Sequence, residues 1–217
     1  MTKSFKVTAV ISAYYADDLI AARIDNLKNQ TLVPEIVMVC QRGSRESEFR
    51  EMVDCCIYTD DVPGLYTAWN KGIKFSTGEY ITNANCDDEL VPDAIEKMAL
   101  MLDTVPHFDL VYGNHINTRT GDEVRRPSYS LDQIRRHCFI GPFPMWRRSL
   151  HERYGYFDES FLIAGDWEFW NRIAERNNIY HMNRAVGFYC DRPESLEKRL
   201  PVLGATEREI ILEKYAD

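Results

Sequence analysis

Apolar positions along the first half of the chain switch repeatedly between two periods, which predicts alternating strands and helices. Phe5 to Ala13 is an apolar run of strand length, and Asp17 to Gln30 places Ile20, Ile24 and Leu27 on one helical face. Glu35 to Cys40 reads as strand and Ser44 to Asp54 as helix. Cys56 to Thr59, Leu65 to Phe75, Glu79 to Ala84, Pro92 to Asp103 and Phe108 to Tyr112 then continue as strand, helix, strand, helix, strand. In the second of those helices Ile95, Met98 and Leu102 face inward. Such alternation with short connections implies an α/β fold, a mostly parallel central sheet with helices on both faces.

The second half has another character. Gly113 to Pro127 resembles a polar hairpin, and Cys138 to Trp146 is apolar but interrupted by prolines. Proline has no N–H to give a ladder, so this stretch is expected as an irregular or edge strand. A helix beginning near Asp166 would turn Trp170, Ile173 and Ala174 inward, followed by a strand from Ile179 to Tyr189 and a charged helix from Thr206 to Tyr215. No repeat or low-complexity linker divides the chain, so one domain is expected over residues 1–217, with halves at 1–112 and 113–217.

Composition narrows the function. A chain of 217 residues, 45% apolar and 12% aromatic, can bury one substantial core. A formal net charge of −8 excludes a general nucleic-acid binder, which needs a basic stripe against phosphate. No apolar run reaches the length of a bilayer, and the first residues lead into a strand without a signal-type hydrophobic region. A cytoplasmic protein is expected, with peripheral membrane contact still compatible. The six cysteines lack paired CxxC spacing and fit free thiols in a reducing compartment better than a zinc site.

The candidate chemistry gathers where strands end. Tyr80, Ile81 and Thr82 favour extended backbone, Asn85 to Glu89 cannot continue a buried strand, and Val91-Pro92-Asp93 opens a helix. Asp87 and Asp88 therefore stand at a strand's carboxyl end, where α/β sheets place their sites. Two carboxylates suit a hard cation such as Mn²⁺ or Mg²⁺, and that cation suits a diphosphate; the alternative is a turn with an N-cap. Ser12, Ala13 and Tyr14 close the first strand with backbone N–H groups and a ring on which a base can stack, unless Tyr14 packs on the next helix. No glycine-rich phosphate loop follows. Asn70 and Lys71 lie one to two turns into a helix, where Lys71 either reaches a phosphate or stays solvated. Asp166 starts a helix among aromatics; burial would raise its pKa and make it a usable base, and an N-cap is the other reading.

Taken in order, these elements resemble the family 2 glycosyltransferases of the GT-A fold, from Val7 to about Ser195. The resemblance is carried by Ser12-Ala13-Tyr14, by Leu27-Lys-Asn29-Gln30-Thr31 and by Asn70-Lys71-Gly72. It continues through Thr77-Gly78-Glu79-Tyr80-Ile81, Asn85-Cys86-Asp87-Asp88, Arg147-Arg148-Ser149, Gly155-Tyr156-Phe157-Asp158-Glu159 and Asp166 to Trp170. It implies a nucleotide-sugar donor held by residues 1–112, with Asp87 on the metal bridging the donor's phosphates. The other half, 113–217, would hold the acceptor, with Asp166 as general base for a single inverting displacement. A UDP-sugar donor and a glycan, lipid-linked or other hydroxyl acceptor are what the resemblance implies.

Three positions depart from the family pattern. Gln41-Arg42-Gly43-Ser44 stands where Asp-Asp-Gly-Ser usually contacts the base, Asn85 replaces the first acid of the metal motif, and Cys190 and Arg192 replace an Arg and a His. Asn85 keeps a hydrogen bond for a ribose hydroxyl, and Arg192 can clasp a phosphate. Two other readings stand beside the transferase. A sugar nucleotidyltransferase would need a glycine- and arginine-rich loop after the first strand, where Tyr14-Tyr-Ala-Asp-Asp18 stands. A non-catalytic nucleotide- or glycan-binding module would account for the three departures.

Overall fold

The structure is a computed structural model and describes residues 6–16 and 19–216; Phe5, Asp17 and Asp18, expected in the first strand and at the start of the first helix, lie outside the described residues. The chain runs β1 (Val7–Ala13), α1 (Leu19–Lys28), β2 (Glu35–Gln41), a 3₁₀ run (Arg45–Met52), β3 (Cys55–Thr59), α2 (Leu65–Phe75) and β4 (Tyr80–Asn83). It continues with β5 (Glu89–Leu90), α3 (Ala94–Thr104), β6 (Phe108–Asn117), β7 (Glu123–Val124), α4 (Leu131–Ile134) and β8 (Met145–Arg147). The last elements are α5 (Ser149–Tyr154), α6 (Gly165–Ala174), β9 (Asn178–Tyr189), α7 (Leu196–Arg199) and α8 (Pro201–Lys214).

The described strands form one mixed sheet in the order β3-β2-β1-β4-β8-β6-β9-β5, with β7 paired to β6. β1 to β4 are mutually parallel; β8 runs antiparallel to both β4 and β6, and β6 and β9 are parallel. The strand order turns back between β1 and β4, where Val10 pairs with Asn83, so their carboxyl ends flank a crevice.

Alternation along β1 divides the core. Val7, Ala9, Ile11 and Ala13 face α1 and α3 through Ile20, Ile24, Leu27, Ile95, Met98 and Leu102. Val10 and Ile81 face α2, α6 and α8 through Tyr66, Trp69, Ile73, Trp170 and Ile211. Helices thus cover both faces, and each large apolar side chain buried there contributes roughly 1.5–3 kcal/mol.

Three elements differ from the sequence expectation. Ser44 to Asp54 forms a 3₁₀ run, not an α-helix; Ser47 hydrogen-bonds back to the Ser44 carbonyl through both N–H and hydroxyl, which tightens the turn. Phe108 to Tyr112 extends to Asn117, so the polar hairpin is the end of β6 folded onto β7. The proline-interrupted stretch is irregular over residues 138–144, as one of the two expectations had it, but it ends in the middle of the sheet and not at an edge. Pro142 and Pro144 precede β8, so its three ladder residues keep their N–H groups, and the Pro144 carbonyl accepts from Thr82 Oγ1 at 2.8 Å.

Candidate active site

A cleft of about 630 Å³ opens at the crevice between β1 and β4. One wall is the turn after β1, with Ser12, Tyr14 and Tyr15; another is Val62 to Leu65, which leads into α2. Asn85 to Asp88 form its floor, and Tyr189 to Leu196 contribute Arg192 and Ser195. Tyr14 is fixed by its hydroxyl, 2.8 Å from Thr59 Oγ1 at the end of β3. Tyr15 turns outward with φ 55° and 81% exposure. A bulky residue in left-handed backbone marks stored strain, which concentrates at functional sites.

The two acids of the floor have separate surroundings. Asp88 is buried; its Oδ1 accepts from the Cys190 N–H at 2.9 Å and its Oδ2 from Asn85 Nδ2 at 3.0 Å. It thereby ties the turn after β4 to the end of β9. Burial pushes its carboxyl up to about 6, against those two hydrogen bonds. Beneath lies Arg23 of α1, fully buried, whose charge acts on Asp88. Asp87 faces the cleft, and its Oδ2 is 2.8 Å from Arg192 Nη2. Arg192 Nε is buried without a hydrogen-bond partner.

Asp166, in the first turn of α6, is not among the residues lining this cleft; it connects to the wall through Tyr66, which follows the cleft residues Gly64 and Leu65. Its Oδ1 accepts from the Tyr66 hydroxyl at 3.1 Å, and the same hydroxyl donates to the Ile163 carbonyl at 2.7 Å. Tyr66 lies flat on Gly165, where a Cβ would come within 2.7 Å of the ring, so only glycine admits this approach. Burial pushes the Asp166 carboxyl up to about 6, opposed by the N–H groups of the helix start and by Tyr66. Glu207 of α8 builds the turn before it by accepting from the N–H groups of Leu162, Ile163 and Ala164 at 2.7, 2.9 and 2.7 Å.

The family model of glycosyl transferase family 2 matches residues 8–171 of this sequence. The chain belongs to glycosyl transferase family 2. Among its relatives, an uncharacterized glycosyltransferase, YwdF of Bacillus subtilis (strain 168), is 28% identical over 198 residues, covering 85% of this chain and 74% of that protein. The Escherichia coli UDP-Glc:alpha-D-GlcNAc-diphosphoundecaprenol beta-1,3-glucosyltransferase WfgD is 23% identical over 200 residues, 87% of this chain and 76% of its own. In fold, the glycosyltransferase is similar to S. aureus TarS 1-349 in complex with UDP-GlcNAc, at TM-score 0.72, 17% identity and coverage of 97% and 71%. It is similar also to the mannosyltransferase PcManGT from Pyrobaculum calidifontis in complex with GDP-Man and Mn²⁺, at TM-score 0.68, 17% identity and coverage of 99% and 74%. The chain spans 42% of the longer TarS chain. These likenesses establish a nucleotide-sugar glycosyltransferase of the GT-A fold.

Of the residues expected to meet the donor, Ser12, Tyr14, Asn85, Asp87 and Arg192 line the cleft of this glycosyltransferase. Four others are placed elsewhere. Ala13 is buried in the core. Gln41 donates to the Asp60 carbonyl at 3.3 Å. Asn70 is buried, donating to the Phe157 carbonyl at 2.8 Å and to Glu159 Oε1 at 2.9 Å and accepting from the Phe157 N–H, so it fastens α2 to the Phe157-Asp-Glu turn. Lys71 sits beside that turn, where its charge acts on Glu159.

Sequence reasoning missed Tyr15, Tyr66 and Glu207. Only the strained backbone of Tyr15 and the packing around Asp166 reveal them.

Among the described residues no three of His, Cys, Asp and Glu gather as a metal cage. The donor set still fits a hard cation carried in with a diphosphate, because such ions take one or two carboxylates and fill their shell from phosphate and water. Of the two floor carboxylates Asp87 is the more exposed, Asp88 having both oxygens taken by Cys190 and Asn85, and the Asn85 side-chain oxygen is a neutral donor at the same floor.

Proposed function

We propose that this glycosyltransferase moves a sugar from a UDP-sugar to an acceptor hydroxyl with inversion at the anomeric carbon. The observation that carries the reading is Asp166, a carboxyl raised to about 6 at the start of α6 and held by Tyr66, which follows the cleft residues Gly64 and Leu65. A base of that strength is ionised at neutral pH and close enough in pKa to accept a hydroxyl proton in a transition state. UDP is favoured by the relatives whose names carry UDP-glucose or UDP-GlcNAc.

In the reaction, Asp166 takes the proton of the acceptor hydroxyl as that oxygen attacks the anomeric carbon, and the bond to the donor phosphate breaks on the opposite face. Negative charge grows on the leaving diphosphate, so donors aimed at it lower the barrier. Arg192 lines the cleft and supplies such a donor through its guanidinium. Mn²⁺ or Mg²⁺ bound at Asp87 would supply further positive charge to the same leaving group. Asp88 braces the floor through Cys190 and Asn85. The acceptor is read as a glycan or lipid-linked hydroxyl, in keeping with the diphosphoundecaprenol named for WfgD.

The test is Asp166→Asn with UDP titration beside it. Transfer should fall by 10²-fold or more while UDP affinity is kept. Turnover within a few-fold of the native protein would remove Asp166 as base, and failure of every nucleoside diphosphate to bind would remove the donor site.

A further inference from the structure

Arg126 follows β7 and is partly buried, yet among the described residues it meets no carboxylate. Its neighbour Arg125 lies 3.7 Å from Glu123, while the Arg126 backbone N–H donates to Asn114 Oδ1 at 3.0 Å. The guanidinium rests against the backbone of Gly141, at φ +84°; a Cβ there would stand 3.0 Å from Nε and 3.3 Å from Cζ. Glycine is therefore what leaves the fork its place. Nε is buried without a hydrogen-bond partner.

Among the described residues, the groups within electrostatic reach of Arg126 do not balance it: they are Cys138, Tyr189, Tyr112 and His115. Burial raises the two phenols and pushes His115 down to about 4, and the Cys138 thiol also lies above its ordinary value, so all four are neutral near pH 7. A desolvated guanidinium left without an anion is unfavourable, and a planar fork of donors matches phosphate or carboxylate.

The position connects to the site. Tyr189 lines the donor cleft, and the Cys138 thiol lies within electrostatic reach of both Arg126 and Asp166. The strap that covers Arg126 is tied to the end of β4, where Asn83 Nδ2 donates to the Pro142 carbonyl at 3.4 Å. Arg126 thus stands in the acceptor half, linked to the cleft wall through Tyr189 and to the proposed base through Cys138.

We propose that Arg126, cradled by Gly141, is an anion subsite that binds a phosphate or carboxylate group of the acceptor. This rests on the transferase reading above. It restricts the acceptor to an anionic hydroxyl compound: a sugar phosphate or phosphate-linked chain, or a sugar acid.

The experiment is calorimetric titration of the full chain saturated with UDP, using N-acetylglucosamine 1-phosphate, glucuronic acid and neutral N-acetylglucosamine as probes. One anionic probe should bind at least tenfold more tightly than the neutral sugar, and Arg126→Met should abolish that margin while keeping UDP affinity within twofold. Preference for the phosphate probe assigns a phosphate acceptor, and preference for glucuronic acid a uronate. Equal binding of charged and neutral probes, or an undiminished margin in Arg126→Met, would overturn the subsite. If the Met variant loses its melting transition, Arg126→Lys decides: it keeps the charge without the fork, so a weakened margin supports the subsite and a full one overturns it. UDP binding is read separately. Its absence in the native chain would sink the transferase reading, while the anion titration, repeated without UDP, still decides the subsite.

Discussion

The Tyr66 hydroxyl lies 3.1 Å from Asp166 Oδ1 and 2.7 Å from the Ile163 carbonyl, so one phenol serves the carboxylate and the turn that delivers it. Tyr66→Phe removes a hydrogen bond that favours the ionised carboxylate. The Asp166 pKa should rise further, and activity should drop several-fold at pH 6 and recover by pH 8. A loss equal at both pH values would mean that Tyr66 only supports the fold.

Activity should itself climb with pH through about 6. Asp166 must be ionised to accept a proton, and its carboxyl is raised to about 6 mainly by burial. Below that value kcat/KM should fall about tenfold per pH unit; above it the acidic limb should be flat. The stability linkage runs the other way. A carboxyl whose folded pKa exceeds its unfolded value near 3.8 holds its proton more tightly in the folded state, so its contribution declines as pH rises from about 4 to about 6. Asp88 is raised into the same range by its own burial. Asp166→Asn should therefore flatten only part of the dependence of the denaturation midpoint on pH between 4 and 7. An unchanged dependence would count against the raised carboxyl.

Arg192 and a cation compete for Asp87, because the guanidinium already occupies Oδ2 at 2.8 Å. Arg192→Met should strengthen Mn²⁺ binding without nucleotide and weaken UDP binding with Mn²⁺ saturating, by roughly tenfold if one charge-assisted contact is lost. Paramagnetic resonance of free Mn²⁺ reads the first and calorimetry the second. Changes of the same sign would contradict this double role.

Glu207 gathers three N–H groups in front of α6. Glu207→Ala orphans them, and at about 1–3 kcal/mol for each buried donor left unmade the fold should lose several kcal/mol unless water enters. Urea denaturation measures this. Glu207→Gln keeps one acceptor and should fall between the two. A variant as stable as the native chain would show that the turn stands without its carboxylate.

The alternating periods were sufficient for the parallel half, because each strand and helix there buries a continuous apolar face set by local spacing. Val7, Ala9, Ile11, Ile20, Ile24 and Leu27 meet as that spacing requires. The position of Asp87 was legible for the same reason: a strand that must stop at Asn85 delivers its acids to the sheet's carboxyl edge. The surroundings of Asn70 were not legible, since its buried amide partners are 87 and 89 residues away in sequence. Cys138 to Trp146 was expected as an irregular or edge strand; it is irregular as far as Pro144, and its last residues enter the middle of the sheet because β4 and β6, distant in sequence, pair with them.

By itself the sequence determined the alternation of strands and helices in the parallel half, the family, and which acids end a strand or begin a helix, since these follow from local periodicity and motif order. Only the tertiary structure decided that Asp87 faces Arg192 while Asp88 turns inward, that Tyr66 and Glu207 hold Asp166 in place, and that Arg126 meets no counter-charge among the described residues. Each of these depends on burial and on partners brought together from distant segments, and burial fixes what a carboxylate or guanidinium can do only after the chain has closed around it.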